Sequence, residues 1–295
     1  ILFAYREVRI IKSQKVEIDE KNRKLEDYNN EVTSSIEYAK RIQNAILPVR
    51  EKLLGVVKEK ILFFLPKDVV SGDFYWAEKI NGVAYIAVAD CTGHGVPGAM
   101  VSVVGSNGLY RCVKEFGLSK PAAILDRLTD IIIETFEADG TVVKDGMDIA
   151  ICALDLTKKE LRFAGANNSL YLVRRNELEK GGLGDFQHVS DEGNTLFEVK
   201  GDKQPVGVYG LEQEFSQHII SVLPGDCLYL FSDGYPDQFG GADGRKLKLS
   251  GARKIVEELQ TVSNDQYAER IQANFELWQA DFDQIDDVIF MGILF

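Results

Sequence analysis

The first 47 residues contain neither Gly nor Pro, and they place an apolar residue at every seventh position. A seven-residue repeat keeps one side of a helix directed at a partner helix, which is the pattern of a coiled coil. The sequence therefore predicts one long helix over roughly residues 5–47. The repeat consists of Ala4, Ile11, Ile18, Leu25, Val32, Ala39 and Ile46.

The second apolar seam that a tight coiled coil needs is poorly formed. Tyr28, Ile36 and Ile42 are apolar at its positions, whereas Gln14 and Lys21 are polar. We interpret residues 1–47 as a parallel, weakly paired linker through which two copies form a homodimer. The alternative is a single helix packed on its own domain. Because a weak seam permits a change of register, we expect this linker to regulate the domain to which it is joined.

The chain of 295 residues carries 34 Lys and Arg against 46 Asp and Glu, a formal net charge of −12. Nucleic acids are bound through clustered basic side chains, so this balance argues against a nucleic-acid partner. Residues 1–47 hold nine basic and eight acidic side chains, so the acidic excess lies beyond them. The change of composition at Pro48 predicts a linker at 1–47 and a domain at 48–295.

No apolar run approaches the roughly 18 residues that span a bilayer, so we expect a cytoplasmic domain. The apolar start at residues 1–5 is compatible with the end of a membrane span, so the full-length protein is expected to carry an upstream sensor or membrane module. The four widely spaced cysteines lie in apolar runs, which predicts buried thiols rather than disulfides or a metal knuckle.

From residue 61 onward, short apolar runs alternate with turns. Several strands in succession between pairs of helices favour an α+β fold with antiparallel, hairpin-rich sheets. Residues 176–203, rich in Gly, Asp and Glu, are predicted to form a surface loop. The predicted strands are 61–65, 83–89, 147–154, 161–164, 170–173, 218–222, 227–231 and 288–295, and the predicted helices are 97–116, 120–138, 251–260 and 265–280.

Acidic residues stand at the edges of predicted strands in four separate places. Asp73 follows a Ser-Gly pair and Asp90 ends the run 83–89. Asp233 follows the run 227–231, and Asp286 and Asp287 precede the last strand. An ionised carboxylate at the end of a buried strand is costly unless it is paired, and no Lys or Arg is adjacent to these residues. A shared Mg²⁺ or Mn²⁺ ion would remove that cost and would suit a hydrolytic site.

The surroundings of these acids resemble a known family. The chain closely resembles the SpoIIE/RsbU-type phosphatases, a bacterial branch of the metal-dependent serine/threonine protein phosphatases (the PPM class), over about residues 61–295. Residues 35–48 also resemble the helix that leads into such domains in sensor proteins. The motifs occur in family order: PKDVVSGDFY (66–75), VADCTGHGVPGA (88–99), GMD (146–148), FAGANN (163–168), PGD (224–226), LFSDG (230–234) and QIDDV (284–288).

The resemblance implies a four-layer αββα sandwich of two antiparallel sheets flanked by helices, preceded by the coiled-coil helix. It also implies two Mn²⁺ or Mg²⁺ ions between the sheets, which activate a water for attack on phosphoserine or phosphothreonine. The implied metal ligands are Asp73, Asp90, the Cys91 carbonyl, Asp233 and Asp286, with Asp287 at a neighbouring position. Among these, Asp90, which would bridge the ions, and Asp233 are the implied catalytic residues.

The resemblance further implies a phosphorylated protein substrate on a bacterial signalling pathway, such as an anti-sigma-factor antagonist. The alternative is a catalytically passive dimerisation or docking module that keeps the fold alone. Trp76 stands where many relatives carry an acid, so a metal contact from that position is lost. His94, in a Gly-rich turn, is interpreted as a residue that caps or orients the metal loop, with a general acid as the alternative.

Overall fold

The computed structural model describes residues 2–47, 59–136, 145–174, 186–189, 194–207, 213–263 and 266–295. Within these residues, no helix is long and apolar enough to cross a membrane. The helices are α1 (Leu2–Ile46), α2 (Gly95–Tyr110), α3 (Pro121–Phe136), the short α4 (Gly234–Asp237), α5 (Lys248–Glu258) and α6 (Tyr267–Gln279). A π-helical turn at Arg111–Glu115 continues α2, and a 3₁₀ turn at Leu259–Thr261 continues α5.

Most of the strands form two antiparallel sheets. Sheet 1 has the order β1-β14-β11-β6-β8-β7, and sheet 2 has the order β10-β5-β4-β3-β2 with β9 beside β4, while β12 and β13 form a separate ribbon. The strands are β1 (Glu59–Leu65), β2 (Phe74–Ile80), β3 (Val83–Cys91), β4 (Gly146–Asp155), β5 (Glu160–Ala166), β6 (Leu170–Arg174), β7 (Phe186–Val189), β8 (Thr195–Val199), β9 (Val206–Gly207), β10 (His218–Ser221), β11 (Cys227–Phe231), β12 (Phe239–Gly240), β13 (Arg245–Lys246) and β14 (Val288–Leu294).

The two sheets pack face to face and each carries helices on its outer face. Alternate residues of β3 show this, because Ile86 lies in the core shared with sheet 1 whereas Ala87 lies in the core shared with α2 and α3. On the other side, Phe290 of β14 belongs to a core that includes Ile255 of α5 and Phe275 of α6. Period-two alternation therefore builds three cores, and the expected αββα sandwich of the α+β class is confirmed.

The long helix α1 is confirmed, but among the described side chains its heptad seam is exposed to solvent except at Ala39. Ile11, Ile18 and Leu25 are 61%, 55% and 58% exposed. Among the α1 side chains that the structure describes, burial is confined to the C-terminal turns, which contact mainly α2, and there Gln43 is buried. The contacting face, spaced as neighbours on a helix, consists of Ile36, Ala39, Gln43 and Leu47.

The prediction of a surface loop over 176–203 is wrong for residues 186–189 and 195–199, which form strands. Both β7 and β8 pair within sheet 1, and every residue of β8 is buried. The sequence did not indicate β8 as a buried strand because it contains the acid Glu198. In the structure, the Glu198 carboxylate accepts a hydrogen bond from Tyr171 Oη and pairs with Arg253. Residues 176–185 and 190–193 of the predicted loop lie outside the described residues.

Strand β2 was also missed by the apolar-run criterion. Glu78 and Lys79 interrupt its run of hydrophobic residues, yet all seven residues of β2 pair with β3. The Glu78 side chain is buried and lies 3.3 Å from Lys114 Nζ, which follows α2. The acid is thus accommodated inside the outer core by a basic partner.

Candidate active site

The predicted acids come together where β3 and β11 end between the two sheets. Asp90 lies on β3, Asp233 is the residue before α4, and Asp73 is the residue before β2. Their environments range from deep to open, because Asp73 is 2% exposed, Asp90 is half-buried and Asp233 faces solvent. The cluster therefore extends from the core to the surface.

Asp73 is the deepest of these acids, and its environment is unfavourable for a lone carboxylate. Burial raises its pKa well above the usual value, and the charges of Asp287, Asp286 and Asp233 raise it further, against the lowering effect of a hydrogen bond with Ser232. Its Oδ2 is withdrawn from solvent and has no hydrogen-bond partner among the described residues. A buried acceptor without a partner is unusual and indicates a missing positive or donor group.

The side chains of Asp90 and Asp233 lie close enough for each to affect the pKa of the other. Burial is the main cause that raises the pKa of Asp90 well above its usual value, followed by the charges of Asp73 and Asp233. Removal of water also raises the pKa of Asp233, although this residue is open on one side. The proximity of these acids therefore makes it costly for both to be ionised at once.

Asp286 and Asp287 are adjacent but differ in what they contact. Asp286 is half-buried, and its Oδ1 accepts the Asp287 N–H at 2.8 Å. Asp287 is 1% exposed, and its two carboxylate oxygens accept the N–H groups of Lys67 and Gly72, each at 2.8 Å. Asp287 therefore fixes the backbone of residues 67–72 that leads to Asp73, whereas Asp286 remains beside the other acids.

Two glycines allow the loops of the cluster to approach this closely. A Cβ on Gly234 would lie 1.9 Å from the Asp287 carbonyl oxygen, and one on Gly72 would lie 2.6 Å from the Gly93 carbonyl oxygen. No side chain fits at such distances without moving the backbone. The Gly residues beside Asp233 and Asp73 are thus required by packing and not only by turn formation.

The loop after β3 is held by Thr92, and the His94 side chain does not cap α2. Thr92 N–H donates to the Gly146 carbonyl at 3.0 Å, which leaves Cys91 buried at the strand end. His94 is the N-cap residue of α2 but makes no side-chain capping bond. Its Nδ1 lies instead 2.7 Å from Asp68 Oδ2, and both side chains are about half exposed. All four cysteines are buried and none is in a disulfide, as predicted.

Two residues near the cluster were missed by the sequence analysis. Asp148 is directly opposite Asp90 in the β3–β4 register, and it accepts a 2.8 Å hydrogen bond from Asn167 Nδ2. Gln43 of α1 donates from Nε2 to the Ser71 carbonyl at 2.6 Å and to Ser102 Oγ at 3.0 Å. Asp148 was marked only by its short GMD motif, and Gln43 only by its spacing from Ile36 and Ala39 on one helix face.

The donor set fits a hard divalent cation. As it stands, no group of three or more His, Cys, Asp or Glu side chains among the described residues is arranged around a metal position. The chemistry nevertheless favours a cation, because Asp73 has a buried oxygen without a partner among the described residues and the charges of neighbouring acids raise its pKa further. Carboxylate oxygens are the ligands that Mg²⁺ and Mn²⁺ prefer.

Comparison with known proteins identifies the class. The profile of the Stage II sporulation protein E (SpoIIE) family matches residues 81–294, so the chain belongs to this family. Its fold is that of a PP2C-type (PPM) protein serine/threonine phosphatase domain.

Individual relatives agree with this class. The chain is 24% identical over 271 residues to the phosphoserine phosphatase RsbU of Bacillus subtilis, which covers 89% of this chain and 70% of RsbU. The SiaA-PP2C domain of Pseudomonas aeruginosa superposes with a TM-score of 0.76 at 27% identity, covering 90% of this chain and 98% of that domain. The PP2C domain of SpoIIE from Bacillus subtilis, with a regulatory fragment, gives a TM-score of 0.57 at 15% identity over 80% of this chain and 61% of that one.

Proposed function

We propose that this phosphatase domain hydrolyses phosphoserine or phosphothreonine on a bacterial signalling protein, with two Mn²⁺ or Mg²⁺ ions in the acidic cluster. The observation that carries the proposal is Asp73, a fully buried acid with an orphaned oxygen whose neighbours are other acids. A structural role alone does not account for this arrangement, because like charges in a low-dielectric site destabilise the fold.

In this proposal each acid has a separate task. Asp90 and Asp233 hold the ions at the solvent side of the cluster, with the Cys91 carbonyl beside them. Asp73 and Asp286 complete the ligand set, and Asp287 keeps residues 67–72 in place through its two backbone contacts. When bound, the ions supply an activated water and charge neutralisation for the phosphoryl group.

The substrate class follows from the solvent-facing position of Asp233 and from the family. An open site at a protein surface admits a phosphorylated side chain that projects from another folded protein. We expect a small regulatory phosphoprotein of the anti-sigma-factor-antagonist type, for which the phosphoserine phosphatase RsbU is the precedent by name.

Phosphate release from p-nitrophenyl phosphate and from a phosphoserine protein, with and without Mn²⁺, tests the proposal. We expect Mn²⁺-dependent release that falls by about a thousandfold or more in Asp90→Asn, because the substitution removes the shared ligand. Asp281→Asn, an exposed acid outside the cluster, is the matched control and retains activity. If the wild-type protein releases no phosphate yet still binds a partner, the passive docking module is the correct interpretation.

We also propose that α1 regulates this site through Gln43. The Gln43 amide makes two hydrogen bonds with the backbone of Ser71. Its Nε2 donates to the Ser71 carbonyl, and its Oε1 accepts the Ser71 N–H at 3.3 Å. Ser71 is two residues before Asp73, so a displacement of this end of α1 reaches a proposed ligand through a very short stretch of backbone. We expect Gln43→Ala to lower Mn²⁺ affinity and activity together, with the exposed neighbour variant Asn44→Ala unchanged. Equal behaviour of the two variants would contradict this coupling.

Dimerisation through the linker is the remaining part of the proposal. The exposed seam supports it, because Ile11, Ile18 and Leu25 otherwise leave apolar surface in water along one stripe. Sedimentation of the wild-type chain should show a dimer that Leu25→Asp converts to a monomer. A monomeric wild-type chain would favour the single-helix alternative for residues 1–47.

A further inference from the structure

A groove of about 590 Å³ leads away from the acidic cluster toward the first turn of α5. Asp233 and Ser232 line one end, and Ser232 is also the residue that hydrogen-bonds with Asp73. At the opposite end the groove is lined by Lys248, Leu249 and Ser250. The groove is therefore continuous with the proposed reaction site and extends beyond the volume that a phosphate group needs.

Stacked aromatic rings and polar side chains both line the groove. Its floor includes Tyr171 and Phe231, whose rings stack at a centroid separation of 4.8 Å with a 16° interplanar angle. The wall includes Asn167 and Asn168 of the β5–β6 turn. The Nδ2 of Asn168 has no hydrogen-bond partner among the described residues. Stacked rings beside the unpaired Asn168 amide suit an extended polypeptide, which carries an acceptor at every residue.

Four charged residues line the groove, the acids Asp148, Asp233 and Asp237 and the base Lys248. Asp233 belongs to the metal cluster, and Asp237 is paired with Lys246 at 2.6 Å. Lys248 is the basic residue among the described residues that line the groove, and it is exposed. Its backbone has φ 66°, an unusual conformation for Lys that sets the direction of the chain where α5 begins.

We propose that this groove binds the polypeptide segment that flanks the phosphorylated residue, and that Lys248 selects segments with an acidic side chain there. The inference rests on the proposed phosphatase function, because the groove is oriented by the acidic cluster. It adds a determinant of substrate choice that is separate from the metal ligands. Small phosphoesters lack a flanking segment and do not reach Lys248.

The test compares phosphoserine peptides whose flanking residues are either Asp or Lys, with p-nitrophenyl phosphate as the reference that has no flanks. For the wild-type enzyme with Mn²⁺, we expect kcat/KM to favour the Asp-flanked peptide by about fivefold, the scale of one partly exposed ion pair. Lys248→Glu should reverse this preference. Lys254→Glu, one to two turns later on the same helix and away from the groove, should keep the wild-type preference.

A second variant tests the groove by shape and not by charge. Ser250→Trp should lower kcat/KM for both peptides by about tenfold relative to p-nitrophenyl phosphate, because an indole at this end obstructs the flanking segment. Binding of a fluorescent peptide with a non-hydrolysable phosphoserine analogue, followed by anisotropy, should weaken in the same variants without any turnover.

The outcomes separate the two proposals. If the wild-type enzyme hydrolyses p-nitrophenyl phosphate but Lys248→Glu and Ser250→Trp keep the wild-type peptide ratios and affinities, the groove proposal is wrong and the phosphatase proposal stands. If the wild-type protein hydrolyses neither substrate class, the phosphatase proposal itself has failed. Circular dichroism of each variant establishes that a lost preference does not come from unfolding.

Discussion

Strand β11 has a buried acid near each of its ends, and the two acids are treated in opposite ways. Asp226, before the strand, is 1% exposed, and it accepts hydrogen bonds from Arg174 Nε at 3.1 Å and Nη2 at 2.8 Å and from the Leu223 N–H at 2.9 Å. Asp73, beside Ser232 after the strand, is 2% exposed and has an oxygen without a partner among the described residues.

The difference separates an acid that serves the fold from one that, in the proposed function, serves a ligand. The two carboxylate oxygens of Asp226 are satisfied within this chain, where Asp226 forms a buried ion pair with Arg174. Asp73 is surrounded by acids instead, so the chain leaves its charge to be balanced from outside. Burial alone does not distinguish the two cases, whereas the sign of the neighbouring charges does.

The largest expected effect on stability concerns Asp226, the acid that is paired within the chain. Arg174→Met leaves Asp226 buried without its cation, and we expect the free energy of unfolding to fall by about 3–5 kcal/mol. Urea denaturation measures this change. The control is Arg245→Met, whose partner Asp243 is 3.8 Å away with both side chains over 70% exposed; this exposed pair should contribute about 0.5 kcal/mol or less. Similar losses in the two variants would remove the basis for the comparison.

A smaller effect on stability is expected at the acidic cluster, beyond the other end of β11, when a cation is added. At about one hundred times its dissociation constant, Mn²⁺ should raise the free energy of unfolding by about 2.7 kcal/mol, because the unfolded chain does not assemble the site. Thermal denaturation with and without Mn²⁺ measures the shift. The shift should be largely lost in Asp90→Asn and retained in Asp281→Asn. Stabilisation that does not depend on Asp90 would place the ion elsewhere.

The smallest effect concerns Asp73 in the metal-free protein. Asp73→Asn keeps the shape of the side chain and removes an acid whose charged neighbours are Asp287, Asp286 and Asp233, so we expect it to raise the free energy of unfolding by about 1 kcal/mol. Asp226→Asn should instead lower it, since Arg174 loses its ionic partner. Denaturation in the presence of a chelator compares the two variants. A loss of stability in both would show that Asp73 is structural as well.

The sequence predicted the class of fold and the membership of the acidic cluster because both leave local marks. Apolar alternation defined most strands, and the acids followed those strands within family motifs. The different positions of Asp286 and Asp287 were not predictable from adjacency alone. They became visible only when the N–H groups of Lys67 and Gly72 were seen to lie against Asp287.

The parts that escaped prediction depend on contacts distant in sequence. Glu198 made β8 look like a loop, and only its partners Tyr171 and Arg253 explain a buried acid in that strand. Gln43 looked like one more polar residue on an exposed helix until Ser71 and Ser102 were placed around it. Side chains whose partners lie elsewhere in the chain carry no periodic pattern that marks them.

The length of α1 has a mechanical consequence. A seven-residue repeat on a straight helix drifts by about 20° per heptad, so the seam from Ile11 to Ile46 winds through about 100°. Two paired copies stay in contact over that length only by coiling around each other. In the proposed dimer, tightening or loosening that coil would turn the Gln43 end about the helix axis, and the linker would then deliver torque to the domain.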